Sequence, residues 1–150
     1  MFETVLRYAR EKEKLILEGL QRRASLSNPG DREAILANPD AIELPIDQIL
    51  NNRVIVAEVD GVVVGFSVVL PRSDGQSELD GLFVEPQVWR SGIGRRLVEG
   101  AGEMAKSEGA TEIYVIGNPH AEKFYLSVGF RIFGEAQTRF GSGLSMLKKL

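Results

Sequence analysis

Arginines and glycines crowd one short stretch, Arg90-Ser91-Gly92-Ile93-Gly94-Arg95-Arg96, which follows an apolar run ending at Val84-Glu85-Pro86. A strand that stops at Pro86, a loop, and then the first turn of a helix leave backbone N–H groups without intrahelical partners, free to face an anion. Gly92 and Gly94 carry no Cβ and let a ligand approach the backbone closely. Arg90, Arg95 and Arg96 add positive charge for charge-assisted hydrogen bonds to phosphate oxygens. The chemistry these residues suit is the holding of a pyrophosphate. Two common glycine-rich phosphate loops do not fit. A P-loop needs Gly-Lys-Ser/Thr, which the stretch lacks, and a dinucleotide fingerprint needs a glycine three residues after Gly94, where Leu97 stands.

What the stretch does resemble is the acyl-CoA loop of the GNAT superfamily of N-acetyltransferases, in which a strand ending in Val-x-Pro leads into Arg/Gln-x-x-Gly-x-Gly/Ala. Here the second pattern reads Trp89-Arg90-Ser91-Gly92-Ile93-Gly94, with Trp89 at the first position and the arginine following as Arg90. A later stretch, IYVIGNPHAEKFYLSVGF over residues 113 to 130, resembles the same family: Asn118 at a strand end, Phe124 and Tyr125 on a short helix, and a closing Gly129-Phe130. Two signatures in the right order are far less expected by chance than either alone. The resemblance covers residues 54 to 150 well and the first fifty loosely.

The resemblance implies an α/β (α+β) fold in one domain over residues 1–150. Its mixed, mostly antiparallel sheet of six to seven strands is flanked by about four helices and splays between the fourth and fifth strands. It implies an acetyl-CoA-dependent N-acetyltransferase acting on a small-molecule or peptide amine, with coenzyme A as co-substrate and no metal. The carrier would be held by Leu82, Phe83, Val84, Trp89, Arg90, Ser91, Gly92, Ile93, Gly94, Arg95, Asn118, Phe124 and Tyr125. In the family the matching tyrosine protonates the departing coenzyme A thiolate, work that suits a phenol near the sulfur; otherwise Tyr125 is a half-buried ring packed on the core. The strand edge at Leu82 to Val84 would pair with the pantetheine arm, the Val84 amide donating to the thioester oxygen. Asn118 would bond the same arm, or serve as a turn or N-cap, or both.

The acceptor amine must lose a proton, and Glu78 and Asp80, two apart on a strand, share one face and are the candidate bases, directly or through water. Each also reads as a carboxylate on a solvated face, Glu78 more so than Asp80. His120, the only histidine, has no second histidine or cysteine to build a metal site or triad with, and reads as a helix N-terminal residue bordering the acceptor site. Trp89 is either a lid over the loop or an anchor for the helix. An acyl-CoA-binding or sensing module of the same fold is the alternative to an enzyme, and Tyr125 and Asn118 disfavour it.

The elements that must position these residues follow from periodicity. Residues 3 to 9 read as a short strand, and Glu11 onward as a helix with Leu15, Ile16, Leu20 and Ala24 on one side and a Glu18–Arg22 pair on the exposed side. Turns with two short helices, about 31–37 and 46–51, occupy residues 25 to 52. Runs 53 to 58 and 62 to 70 flank Asp60-Gly61, a hairpin signal, and a turn at Ser73-Asp74-Gly75 leads to a strand over 76 to 84. A helix over 92 to 108 repeats Ile93, Leu97, Ala101 and Met104 and stops at Gly109; Gly100 and Gly102 imply close packing on the sheet. Then come a strand (112 to 116), a helix (120 to 128) and strands near 130 to 135 and over 144 to 149.

At 150 residues and 43% hydrophobic, the chain suits one core. Its net charge of −3, with basic residues spread among carboxylates, argues against a nucleic-acid face. The absence of cysteine excludes disulfides and a cysteine nucleophile and fits a cytoplasmic protein. Charged residues 11 to 14 come before any apolar run long enough for a signal peptide, and no run is long enough to span a bilayer, so neither export nor a membrane partner is expected. Asp31, Glu33, Asp40, Glu43 and Asp47, against Arg32, favour a cationic acceptor if they line its groove. The identity of the acceptor and whether the protein is a homodimer stay open.

Overall fold

The computed structural model describes residues 3–150. Among these residues seven strands form one sheet in the order β1-β2-β3-β4-β5-β7-β6: β1 (Thr4–Tyr8), β2 (Val54–Val59), β3 (Val62–Pro71), β4 (Gln76–Val84), β5 (Glu112–Gly117), β6 (Arg131–Thr138) and β7 (Gly141–Lys149). Every neighbouring pair is antiparallel except β4 and β5. Among the described residues five α-helices accompany it, one for each helical stretch the periodicity marks: α1 (Lys14–Leu26), α2 (Arg32–Ala37), α3 (Ile46–Leu50), α4 (Ile93–Ser107) and α5 (Glu122–Ser127). The β2–β3 hairpin closes through Asp60 and Gly61 at φ 53° and 79°, both left-handed, the geometry that matches the right-handed twist of the strands it joins.

Two cores sit on the two faces of the sheet. On one, α4 buries Ile93, Leu97, Val98, Ala101 and Ala105 against Val69, Leu79, Ile113 and Val115, with Tyr125 and Phe130 closing the far end. Each fully buried Leu, Ile or Val side chain there contributes roughly 1.5–3 kcal/mol. The expected close packing at the helix glycines is present. A Cβ on Gly100 would come within 2.7 Å of Leu6, and one on Gly102 within 3.2 Å of Leu150. On the other face Leu17 and Leu20 of α1, with Leu44 and Ile49, cover Val54, Val56, Phe66 and Val68.

Helix α1 differs from expectation in phase. A 3-10 turn over Glu11–Glu13 precedes it, and the buried stripe is Leu17, Leu20 and Ala24, leaving Leu15 and Ile16 exposed. Glu18 pairs with Lys14 at 2.9 Å and accepts from the Leu44 N–H, and Arg22 donates to the Pro39 carbonyl instead. The nearer partner for Glu18 is the one whose ammonium also reaches the Leu44 carbonyl, at 2.6 Å. The stretch expected as one helix over 120 to 128 is a 3-10 turn, Pro119–Ala121, followed by the short α5.

Candidate active site

The site begins where the sheet opens. Strands β4 and β5 pair only from Gln76–Glu112 to Glu78–Tyr114, and beyond that β5 stays with β7. The rest of β4 therefore presents an edge with no strand beside it. The Glu85 N–H bonds the Val64 carbonyl at 2.8 Å, so by alternation the amide groups of Leu82 and Val84 point away from β3, into the gap. Asp80 is the extra residue where the β3–β4 register steps between Val68 and Val69, a bulge that bends the strand at the mouth of the split.

Three adjoining hollows follow the opening. One of about 640 Å³ lies at the α4 N-terminus and is walled by Leu82, Val84, Trp89, Arg90, Gly92, Gly94, Arg95, Phe124 and Tyr125. One of about 210 Å³ lies between β4 and β5, with Asp80, Phe83, Asn118, Tyr125 and Asp31 in its wall. A third, of about 390 Å³, opens beyond Asp31 and Asn118 toward the β6–β7 hairpin, beside His120 and Phe140.

The α4 end is built for an anion. Gly92 stands at the N-cap with φ 89° and no side-chain cap, and Arg90 is also left-handed at φ 66°. The N–H groups of the first turn are left without intrahelical acceptors, and the macrodipole adds positive potential there. Arg90 and Arg95 line this hollow and Arg96 does not. A Cβ on Gly94 would meet the Phe124 ring at 3.0 Å, so that position fits only a small residue. The Ser91 hydroxyl is turned back onto the Val88 carbonyl. Ile93 is buried and anchors the helix, and Phe83 sets its ring 5.3 Å from Phe66. The Trp89 indole N–H donates to the Val84 carbonyl at 2.7 Å, and the residue borders the two inner hollows.

At the other end Tyr125 is wedged edge-on between Phe124 and Phe130, at 5.3 and 5.4 Å. The residue is only 8% exposed, its hydroxyl has no hydrogen-bond partner among the described residues, and it lines the two inner hollows. Burial, with the charge of Asp31 adding to it, pushes the phenol up to about 12. It therefore keeps its proton at neutral pH and is a donor.

Asn118 is engaged at both ends of its carboxamide. The oxygen accepts the His120 N–H at 2.8 Å, an N-cap, and the nitrogen donates to Asp31 at 2.7 Å. Gly30 lies so close against this turn that a Cβ would sit 2.5 Å from the His120 ring. The α1–α2 connection is thus clasped onto the β5–α5 turn. Of the two candidate bases only Asp80 lines a hollow. Glu78 sits where β4 still pairs with β5, 4.0 Å from Arg72, and burial, then the neighbouring Asp80 charge, raises its carboxyl above the usual range. Asp31 joins the site residues although sequence alone does not separate it from its acidic neighbours. It stood in an acidic group of five, of which it alone reaches the hollows.

Among solved structures, the PaiA N-acetyltransferase of Thermoplasma acidophilum in complex with coenzyme A superposes with a TM-score of 0.79 at 20% identity, covering 99% of each chain. The ribosomal-protein-alanine N-acetyltransferase of Brucella melitensis gives 0.73 at 24% identity, over 97% of this chain and 99% of that one. An aminoglycoside 6'-N-acetyltransferase complexed with coenzyme A gives 0.70 at 18%, over 97% and 96%. At these identities the likeness shows the fold. No curated protein sequence matches significantly. The sequence model of the acetyltransferase (GNAT) domain matches residues 51–132, more than half of the chain. That span carries the opened strand edge, the α4 loop and Tyr125, and the chain belongs to the GNAT acetyltransferase family.

Proposed function

We propose that the protein is an acetyl-CoA-dependent N-acetyltransferase that passes the acetyl group directly to a primary amine. One observation carries this reading: an unpaired strand edge runs from an uncapped helix N-terminus flanked by Arg90 and Arg95 to a protonated, unpartnered Tyr125. The residues present fit the carrier. First-turn amides and two arginines suit a diphosphate, the Leu82 and Val84 amide groups suit the amide-bearing pantetheine arm, and the 640 Å³ hollow gives room. Two of the structural relatives are described as coenzyme A complexes, which supports the same reading.

In the reaction the amine nitrogen bonds the thioester carbonyl carbon and the carbon–sulfur bond breaks. Asp80, directly or through water, takes the proton the amine loses. A strand-edge N–H, at Leu82 or Val84, donates to the carbonyl oxygen as its negative charge grows. Tyr125 gives its proton to the departing sulfur. Burial that lifts the phenol also lifts a thiol placed beside it, which keeps that transfer within reach. With no cysteine in the chain, no cysteine-borne acyl intermediate intervenes.

The test is thiol release from acetyl-CoA with a panel of primary amines. The wild-type protein should yield one thiol per N-acetylated amine. Tyr125→Phe, which removes a hydroxyl without a partner, should bind coenzyme A normally and turn over about a hundredfold or more slower. Unchanged turnover removes Tyr125 from the chemistry, and coenzyme A uptake with no turnover on any amine favours a sensing module.

A further inference from the structure

Charge along the split is sorted by sign. The hollow at the α4 N-terminus carries Arg90 and Arg95 and no carboxylate, and the 210 Å³ hollow carries Asp31 and Asp80 and no lysine or arginine. One Asp31 oxygen accepts from Asn118 at 2.7 Å, and among the described residues no cationic side chain pairs with Asp31. Tyr125, more than nine-tenths buried and with a hydroxyl that has no hydrogen-bond partner among the described residues, lines the same hollow. Asp31 also lines the 390 Å³ hollow, so it stands at the passage between that outer space and the Tyr125 end.

We infer that the acceptor carries a second positive charge besides the amine that reacts, and that Asp31 at this passage holds it. The inference rests on the proposed acetyl transfer. The reacting nitrogen must be neutral when it attacks, so a carboxylate fixed beside the path gains little from it. A second ammonium keeps its charge throughout and gains a charge-assisted hydrogen bond. Asp31 is thus a specificity-determining residue, and Asp80, at the strand edge, is left for the proton of the attacking amine.

The experiment compares kcat/KM for 1,4-diaminobutane, n-butylamine and 4-aminobutyrate with acetyl-CoA as donor. Wild-type protein should prefer the diamine over butylamine by about tenfold or more, the usual worth of a hydrogen bond to a charged group, and should use aminobutyrate least. Asp31→Asn, which keeps an oxygen for Asn118 to bond, should bring the diamine-to-butylamine ratio down toward one. A wild-type ratio near one overturns the inference and needs no variant. A ratio that survives in D31N, with coenzyme A affinity retained by calorimetry, overturns the assignment to Asp31. Absence of coenzyme A binding to the wild-type protein would instead remove the transferase reading beneath it.

Discussion

Phenylalanine at position 89 keeps an aromatic ring over the split and removes the indole N–H that donates to the Val84 carbonyl at 2.7 Å. Under the proposed function that carbonyl lies on the edge along which pantetheine pairs, so indole and incoming amide compete for one acceptor. A neutral hydrogen bond of this kind contributes about 1 kcal/mol net, roughly a fivefold preference for the bonded arrangement. The open form is then about one sixth of the population, and apparent affinity falls by that fraction. Trp89→Phe should therefore bind coenzyme A about three- to sixfold more tightly than wild type, measured by calorimetry. Because Trp89 is the only tryptophan, its emission in the wild-type protein should change as coenzyme A is titrated in, tracking the calorimetric isotherm. Equal or weaker binding by the variant, with tryptophan emission unmoved at saturation, would refute the competition.

Other outcomes follow from individual contacts. Arg7 bridges Glu13 and Glu58 at 2.8 and 2.7 Å, and Glu13 is 7% exposed, so Arg7→Leu strands a buried carboxylate and should cost about 3 kcal/mol. In a thermal melt that is a fall of about 6–12 °C. The same arginine holds the Glu13 carboxyl below its ordinary value, so this stability is present above the usual carboxylate range and is lost as pH falls from there through the lowered folded value. Asn118→Asp sets a carboxylate against Asp31 and should lower stability by about 1–3 kcal/mol; adding Asp31→Asn should restore most of it, and a double variant no better than the single would deny the clasp. Tyr125, near 10 unfolded and about 12 folded, contributes stability that is intact below pH 10 and lost as pH rises toward 12. Denaturant midpoints should thus fall more steeply between pH 10 and 12 for wild type than for Tyr125→Phe.

Much of the frame was readable because local chemistry decided it. Asp60-Gly61 forced the hairpin, and Gly92 and Gly109, both left-handed at φ 89° and 90°, bounded α4. The split between β4 and β5 was legible only through family resemblance, since nothing in the strand sequences says that pairing stops after Glu78. The phase of α1 was not legible: Leu15 and Ile16 look as apolar as Leu17, and only the preceding turn decides which of them faces the sheet. Spacing offered both Glu78 and Asp80 as candidate bases, and only the folded strand, with its bulge, shows that Asp80 alone is in the wall of the hollow. Nothing local set Asp31 apart from its four acidic neighbours, because its partner Asn118 lies 87 residues away and no local pattern records a contact made by tertiary packing.

A crystal structure with coenzyme A tests the central claim most directly. The account predicts the diphosphate at the first turn of α4 between Arg90 and Arg95, the pantetheine arm bonded along Leu82 to Val84 with the Trp89 indole displaced from the Val84 carbonyl, and the sulfur beside the Tyr125 hydroxyl. A carrier bound elsewhere on the protein, or one whose sulfur lies out of reach of Tyr125, would contradict it.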